Sequence, residues 1–370
     1  MTSALLIFLT IFSSLHLIHM LILLIGLTES RGNTHLPQVS VIIAARNEAE
    51  HLPLLIEALA QQSHPKFEVL IINDRSEDDT VKILEKLKTY SWLKIINITS
   101  LPQGWNGKKH ALYQGIKRAT NPILVFTDAD CLPNSNKWLE EISSNFDPNV
   151  DVVLGYSPYE QSKGLMNHLI QFETSITALQ YLGSASIGYP YMAVGRNWAI
   201  RKESYPIEYL KSISNLIGGD DDLIAQHILN KENCRISFSR ESQVMSKAQK
   251  SWGALIRQKV RHLAIGKYYS KKSKTLAGLF SFSYAISWLI FLVLIVSQQW
   301  STALLIYGIR SLSFYIIFIQ LGQKMDTNFS KWALPLIDFC YPLWYTYLGV
   351  RSLAAKQIEW KPESSFLIKH

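Results

Sequence analysis

Thirty-seven Lys and Arg against 29 Asp and Glu give the 370-residue chain a formal net charge of +8, with 48% hydrophobic residues. The 18% charged fraction lies below the roughly 25% of soluble globular chains, so part of the chain avoids water. Ordinary Gly (18) and Pro (13) beside that apolar content exclude disorder and collagen, and the 3 Cys form neither a metal-ligand spacing nor an even disulfide framework.

Residues 4–27 carry no Asp, Glu, Lys or Arg and are long enough, at about 1.5 Å per residue, to cross a hydrocarbon core of about 30 Å. A secretory signal peptide would have a shorter apolar core and an A-x-A site, so the segment reads as an anchor. Residues 276–297 form a second uncharged span. Residues 300–322 form a third with Arg310 alone, and 332–350 a weaker fourth with Asp338, Pro335 and Pro342. A lone ion in a span is costly, which predicts that Arg310 and Asp338 pair. Between 247 and 274 there are nine basic residues and no acid, and no Lys or Arg precedes the first span. By the positive-inside rule, 28–275 is cytoplasmic and the N-terminus outside. A fourth full span would put the basic C-terminus outside, so 332–350 is expected to be re-entrant or interfacial. The expected location is a bacterial-type inner membrane, crossed several times.

At about 150 residues per domain the length allows two or three folding units. The expected organisation is an anchor over 1–28, a soluble domain over 29–246, a basic interfacial helix over 247–275, membrane segments over 276–354 and a basic tail over 355–370.

The soluble part alternates strand and helix. Residues 39–45 (VSVIIAA) are a continuous β-branched apolar run, the pattern of a strand buried on both faces. A helix is expected over 48–62, with Leu52, Leu55, Ile56 and Leu59 on one face. Strands follow at 67–72, 93–98 and 123–127, and helices at 80–87 and 108–118. Such alternation predicts an α/β fold, a doubly wound and mostly parallel sheet that binds ligands beyond its strand C-termini. After residue 150 the alternation fades. No G-x-G-x-x-G follows the first strand, and Gly104–Lys109 has the wrong glycine spacing for a phosphate loop. Chemistry must then come from acids at the strand ends.

Three acidic clusters stand out. In 73–80 (NDRSEDDT) helix capping accounts for Ser76 as N-cap with Asp79 three residues on, and leaves Asp74 at the strand tip where a ligand would lie. Asp128 and Asp130, just past a buried strand, can share a hard cation, Mn²⁺ or Mg²⁺, through oxygen ligands, or can simply cap a turn. Asp220, Asp221 and Asp222 exceed what one N-cap needs. Their repulsion should raise at least one pKa, as suits a general base. From Trp252 onward, Trp252, Leu255, Ile256, Val260 and Leu263 form one stripe, with Gln258 and Arg261 opposite. This acid-free helix is expected in the headgroup plane, apolar face in lipid and Gln258/Arg261 towards the soluble domain. Nucleic-acid binding is excluded as a reading, because the basic run abuts the membrane and no recognised module is present.

In order, VSVIIAARNE, NDRSEDDT, GWNGKKHAL, FTDADC, GRNWAIRKE, GGDDDL and QKVRH span 39–262. The ordered set, with its flanking spans, resembles the membrane-bound inverting glycosyltransferases of family 2, of GT-A fold, in the branch of ceramide, hopanoid and carotenoid glycosyltransferases. The resemblance implies a nucleotide-sugar donor, most simply a UDP-sugar, and a lipid or lipid-linked acceptor. It places Ala45 and Glu48 in the nucleotide pocket, Asp74 on the uracil and Lys108 near the donor. Asp128 and Asp130 would serve the diphosphate and its metal, Asp220 would be the base, and Gln258 and Arg261 would steady the diphosphate or acceptor. Asn73 stands where the family has an acid and Gly219 where Glu is common, so Asp220 rather than Asp221 or Asp222 rests on register. His262 replaces a Trp, and with so few spans this argues against processive polymer synthesis. A polyprenyl-phosphate glycosyltransferase, whose anionic acceptor needs no base, and a non-catalytic membrane-tethered scaffold are the other two readings.

Overall fold

β1 (Val39–Ala45) is buried at every position, so both faces of the strand are covered. The computed structural model describes residues 2–354, and the expected basic tail lies outside the described residues. In chain order, β1 is preceded by α1 (Thr2–Gly26) and followed by α2 (Leu52–Ala60), β2 (Phe67–Asp74), α3 (Thr80–Leu87) and β3 (Leu93–Ile98). Next come α4 (Gly107–Arg118), β4 (Ile123–Phe126), β5 (Cys131–Pro133), α5 (Trp138–Ser143), β6 (Val152–Gly155) and α6 (Leu165–Ser186). Then follow β7 (Trp198–Arg201), α7 (Ile207–Ser212), α8 (Asp222–Ile228), β8 (Cys234–Ser237) and β9 (Val244–Ser246). The chain continues through α9 (Trp252–Ile265), α10 (Lys271–Val296), α11 (Trp300–Lys324) and α12 (Ala333–Ala354).

Two compact units result. One contains 29–160 and 188–247, the other 2–28, 161–187 and 248–354. The expectation of one domain over 29–246 is corrected here: 161–187, the α6 segment, clusters with the hydrophobic helices. Its Ile170, Phe172, Ile176, Leu179 and Leu182 are buried, which explains why strand–helix alternation was lost there.

The first unit is built on a seven-stranded sheet ordered β3-β2-β1-β4-β7-β6-β8. β3, β2, β1 and β4 run parallel, and β7 is antiparallel to both β4 and β6. The order reverses around β1, which opens a crevice past the C-termini of β1 and β4. At the other end, the Glu68 carboxylate accepts from Ser40 Oγ and Lys94 Nζ, both at 2.5 Å, and from Thr120 N at 2.6 Å, tying β1, β2, β3 and the approach to β4 together. α2 is shorter than expected, starting at Leu52 rather than 48, because the backbone N–H groups of 47–49 are held by Ser76, Thr80 and Asp78.

In the second unit, α1, α10 and α11 are long and apolar enough to cross a membrane. α12 does not reach that hydropathy but is one continuous helix over its 22 residues, without the interior break of a re-entrant hairpin. The expected Arg310–Asp338 pair is present: Arg310 Nη1 lies 2.6 Å from Asp338 Oδ1. The guanidinium sits 4.7 Å from the Tyr284 ring centroid and 4.8 Å from that of Phe314, and Nη2 is 3.3 Å from His16 Nδ1. Four helices thus meet at one buried ion pair. α9 follows the expected stripe only in part. Leu255 and Val260 are buried within the unit, where α9 packs on α12, rather than facing lipid. Lys259, which falls on the same stripe four residues after Leu255, pairs with Glu173 of α6 at 3.3 Å.

Candidate active site

The loop after β1 and the loop after β2 clasp each other. Asn47, in the left-handed region at φ 54°, donates its N–H to Ser76 Oγ and accepts from Glu77 N. Glu48 N donates to Thr80 Oγ1 at 2.8 Å, and Ala49 N to Asp78 Oδ2. Ser76 is therefore not the N-cap of α3, as its spacing suggested. Asp79 occupies that position, and Thr80 N is served by Asp78. The Glu48 carboxylate meets His51 Nδ1 at 2.7 Å, and Ala45 pairs in register with Asn73. Asp74 is fully buried at the tip of β2 and receives Arg75 Nε at 2.8 Å. A Cβ on Gly107 would run into Asp74 Oδ2, so only glycine lets the start of α4 approach this strand tip.

Asn106 caps α4 by accepting from Lys108 N. This directs Lys108 to the crevice, where Nζ stands 2.9 Å from Asp128 Oδ1 and 3.1 Å from Asp220 Oδ2. Around them a pocket is lined by Ala44, Phe126, Trp198, Gly195 and Asp221. Burial works against the Lys108 charge, but Asp128, Asp220 and Asp221 outweigh it and raise its pKa. Burial likewise penalises the Asp220 charge, yet Lys108 and Lys109 prevail and bring it down to about 2. Asp221 goes the other way: burial and then Asp220 raise it. The expected raised carboxylate is thus Asp221, not Asp220. Asp221 is also the cap, accepting from Asp222 N at 2.8 Å and Gly195 N at 2.6 Å, while Asp222 accepts from Leu223 N. Of the three acids, Asp220 is the one that faces a lysine across the pocket.

Lys109 was missed from sequence. Wholly buried, its ammonium donates to Leu216 O at 2.5 Å and to Gly218 O. It pins the loop in which Gly218 (φ 82°) and Gly219 (φ 79°) both need the left-handed region. The tandem lysines of GKK and the tandem glycines before the acids were the only signal. Asn197 was missed too. Fully buried, it accepts from Trp138 Nε1 and donates to Tyr156 O and Ser242 O, which fixes the 195–197 turn beside Asp221.

Oxygens of Asp128 and Asp130 and the Cys131 sulfur lie within 4.8 Å of one another. Two carboxylates at this spacing fit a hard divalent cation such as Mn²⁺ or Mg²⁺. Cys131 suits such a cation poorly, because sulfur is a soft donor and hard cations prefer oxygen; without a metal, burial pushes its thiol above the usual range. Gln258 and Arg261 lie on α9, in the helical unit.

Residues 40–205 match the family Glycosyl transferase family 2. The matched stretch runs from β1 to just past β7 and includes α6. The chain is 34% identical over 125 residues to 4,4'-diaponeurosporenoate glycosyltransferase of Staphylococcus haemolyticus, 33% of this chain and 32% of that protein. It is 35% identical over 133 residues to Glycosyltransferase AglE of Haloferax volcanii, 35% of this chain and 42% of that protein. This chain therefore spans less than half the length of the curated relatives it matches. Over 93% of this chain and 99% of the other, its fold matches mannosyltransferase PcManGT from Pyrobaculum calidifontis, solved with GDP-Man and Mn²⁺, at TM-score 0.62 and 19% identity. The fold is GT-A, and the chain also has one N-terminal and two C-terminal helices apolar enough to cross a membrane.

Proposed function

We propose that the chain is an inverting glycosyltransferase that moves one sugar from a nucleotide diphosphate sugar, a UDP-sugar in the first instance, to a hydroxyl of a membrane lipid or lipid-linked acceptor. The observation that carries this reading is Lys108 held between Asp128 and Asp220 at the mouth of the crevice past β4. A cation so placed can meet a leaving diphosphate, with an ionised carboxylate on its far side ready for a proton.

In this reading the clasped loops after β1 and β2, with Ala45, Glu48 and Asp74, hold the nucleoside. Lys108 turns part of its charge to the diphosphate. Asp128 and Asp130 would hold a divalent cation, which would supply positive charge to the departing phosphate oxygens. As Lys108 is shared with the diphosphate, Asp220 loses some of its counter-charge and becomes a stronger base. It takes the acceptor hydroxyl proton while the oxygen attacks the face of the anomeric carbon opposite the leaving group. Asp221 stays in its cap. The roles of Gln258 and Arg261, steadying diphosphate or acceptor, rest on their motif. Sidedness rests on the nine basic residues of 247–274, which favour a cytoplasmic catalytic domain.

The test is Asp220→Asn. Transfer to hydroxyl acceptors should vanish while UDP binding survives. Full transfer to a lipid phosphate by the variant would instead support an anionic acceptor that needs no base, and loss of UDP binding would remove Asp220 as base.

A further inference from the structure

Arg196 has a use that the site so far does not explain. Its neighbour Gly195 lines the pocket, and Asn197 on the other side is locked by its three hydrogen bonds. The guanidinium therefore leaves a rigid turn. It stacks over Tyr159 at 4.3 Å, and Nη2 donates to Ser157 O at 3.1 Å. Nη1 is buried and has no hydrogen-bond partner among the described residues. A buried cationic N–H left without an acceptor is costly, and the cost is recovered if a ligand supplies one.

The platform under Arg196 is continuous with the acidic turn. β5 pairs with β9 so that Cys131 faces Ser246, and Ser246 is bridged on its other side to Tyr159. Ser157 Oγ anchors to the same strand through Val244 O at 2.6 Å. Arg196, stacked on Tyr159, is thus carried by the small sheet that begins one residue after Asp130. Burial works against its charge, and among the groups that oppose burial are the Asp128 and Asp130 carboxylates.

We infer that Arg196 is a second cation of the donor site, whose free Nη1 donates to a phosphate oxygen of the donor's diphosphate beside Asp128 and Asp130, while Lys108 serves it from the Asp220 side. This rests on the nucleotide-diphosphate reading above. The guanidinium suits the role because its planar fork can hold Ser157 O with one nitrogen and a phosphate oxygen with the other.

The experiment compares UDP with UMP, and GDP with GMP, on the full-length detergent-solubilised protein in Mn²⁺, for wild type, Arg196→Gln and Arg196→Lys, with melting temperatures recorded in parallel. Gln keeps the stem and an amide for Ser157 O but loses the charge. The ratio of diphosphate to monophosphate affinity should fall about tenfold or more in Arg196→Gln, the scale of one charge-assisted hydrogen bond, and recover in part in Arg196→Lys. A role confined to packing on Tyr159 would lower both affinities or the melting temperature and leave the ratio unchanged, and an unchanged ratio overturns the inference. If wild type binds none of the four nucleotides, the donor reading fails and the inference falls with it, a result distinct from an unchanged ratio.

Discussion

Lys108 Nζ stands 3.1 Å from Asp220 Oδ2. The same ammonium holds Asp128 at 2.9 Å, so one cation keeps two carboxylates from repelling each other across the pocket. Lys108→Met should lower turnover by about 100-fold, the scale of losing one preorganised donor to a developing anion. Lys108→Arg should keep part of the rate. A Lys108→Met enzyme with wild-type turnover, measured as nucleotide release, would exclude the lysine from the chemistry.

Lys109 does a different job from its neighbour. Replacing it with Met strands the carbonyls of Leu216 and Gly218 in a buried site, at about 1–3 kcal/mol for each unpaired acceptor. Both stability and activity should fall, since the loop it pins presents Asp220. The denaturation midpoint and turnover should drop together in Lys109→Met. Gly219→Ala should produce the same pairing of losses, because φ 79° costs an L side chain about 1–2 kcal/mol and the added Cβ meets Leu223.

Glu68 gives a pH signature. Burial alone would raise its pKa, but Lys94, Ser40 and Thr120 bring it down to about 2. A depressed carboxylate contributes stability that is fully present above its unfolded value of about 4.3 and is lost as pH falls through the folded value. Glu68→Gln should therefore be less stable than wild type at neutral pH. The gap in melting temperature should narrow as pH falls from about 5 to about 3. A gap independent of pH over that window would mean that the carboxylate charge is not what holds the strands.

In the helical unit, Arg310→Leu or Asp338→Leu leaves one uncompensated buried charge, and each should cost about 3–5 kcal/mol. The double substitution should recover much of that loss in detergent melting experiments. Additive losses would show that the two side chains act separately.

Much of this was readable from residues alone. The strand ending in Asp74, the strand just before Asp128, and the Arg310–Asp338 pair follow from apolar runs broken by charge. Ser76 misled because its spacing to Asp79 fits a capping box, whereas its hydroxyl goes to Asn47, 29 residues away in sequence. The choice among Asp220, Asp221 and Asp222 depends on where two left-handed glycines turn the backbone, which no local pattern encodes. Lys109 and Arg196 act through backbone carbonyls and rings distant in sequence. Residues 161–187 were unreadable because a helix buried on most sides shows no polar face.

The central claim is a nucleotide diphosphate held through a divalent cation at Asp128 and Asp130. The most direct measurement is UDP affinity of the solubilised protein with and without Mn²⁺, beside Asp130→Asn, with GDP in a parallel series. The account predicts binding that Mn²⁺ strengthens and that Asp130→Asn makes insensitive to the metal. Nucleotide binding by neither UDP nor GDP, with or without Mn²⁺, would contradict it and leave a membrane-tethered scaffold with a GT-A fold.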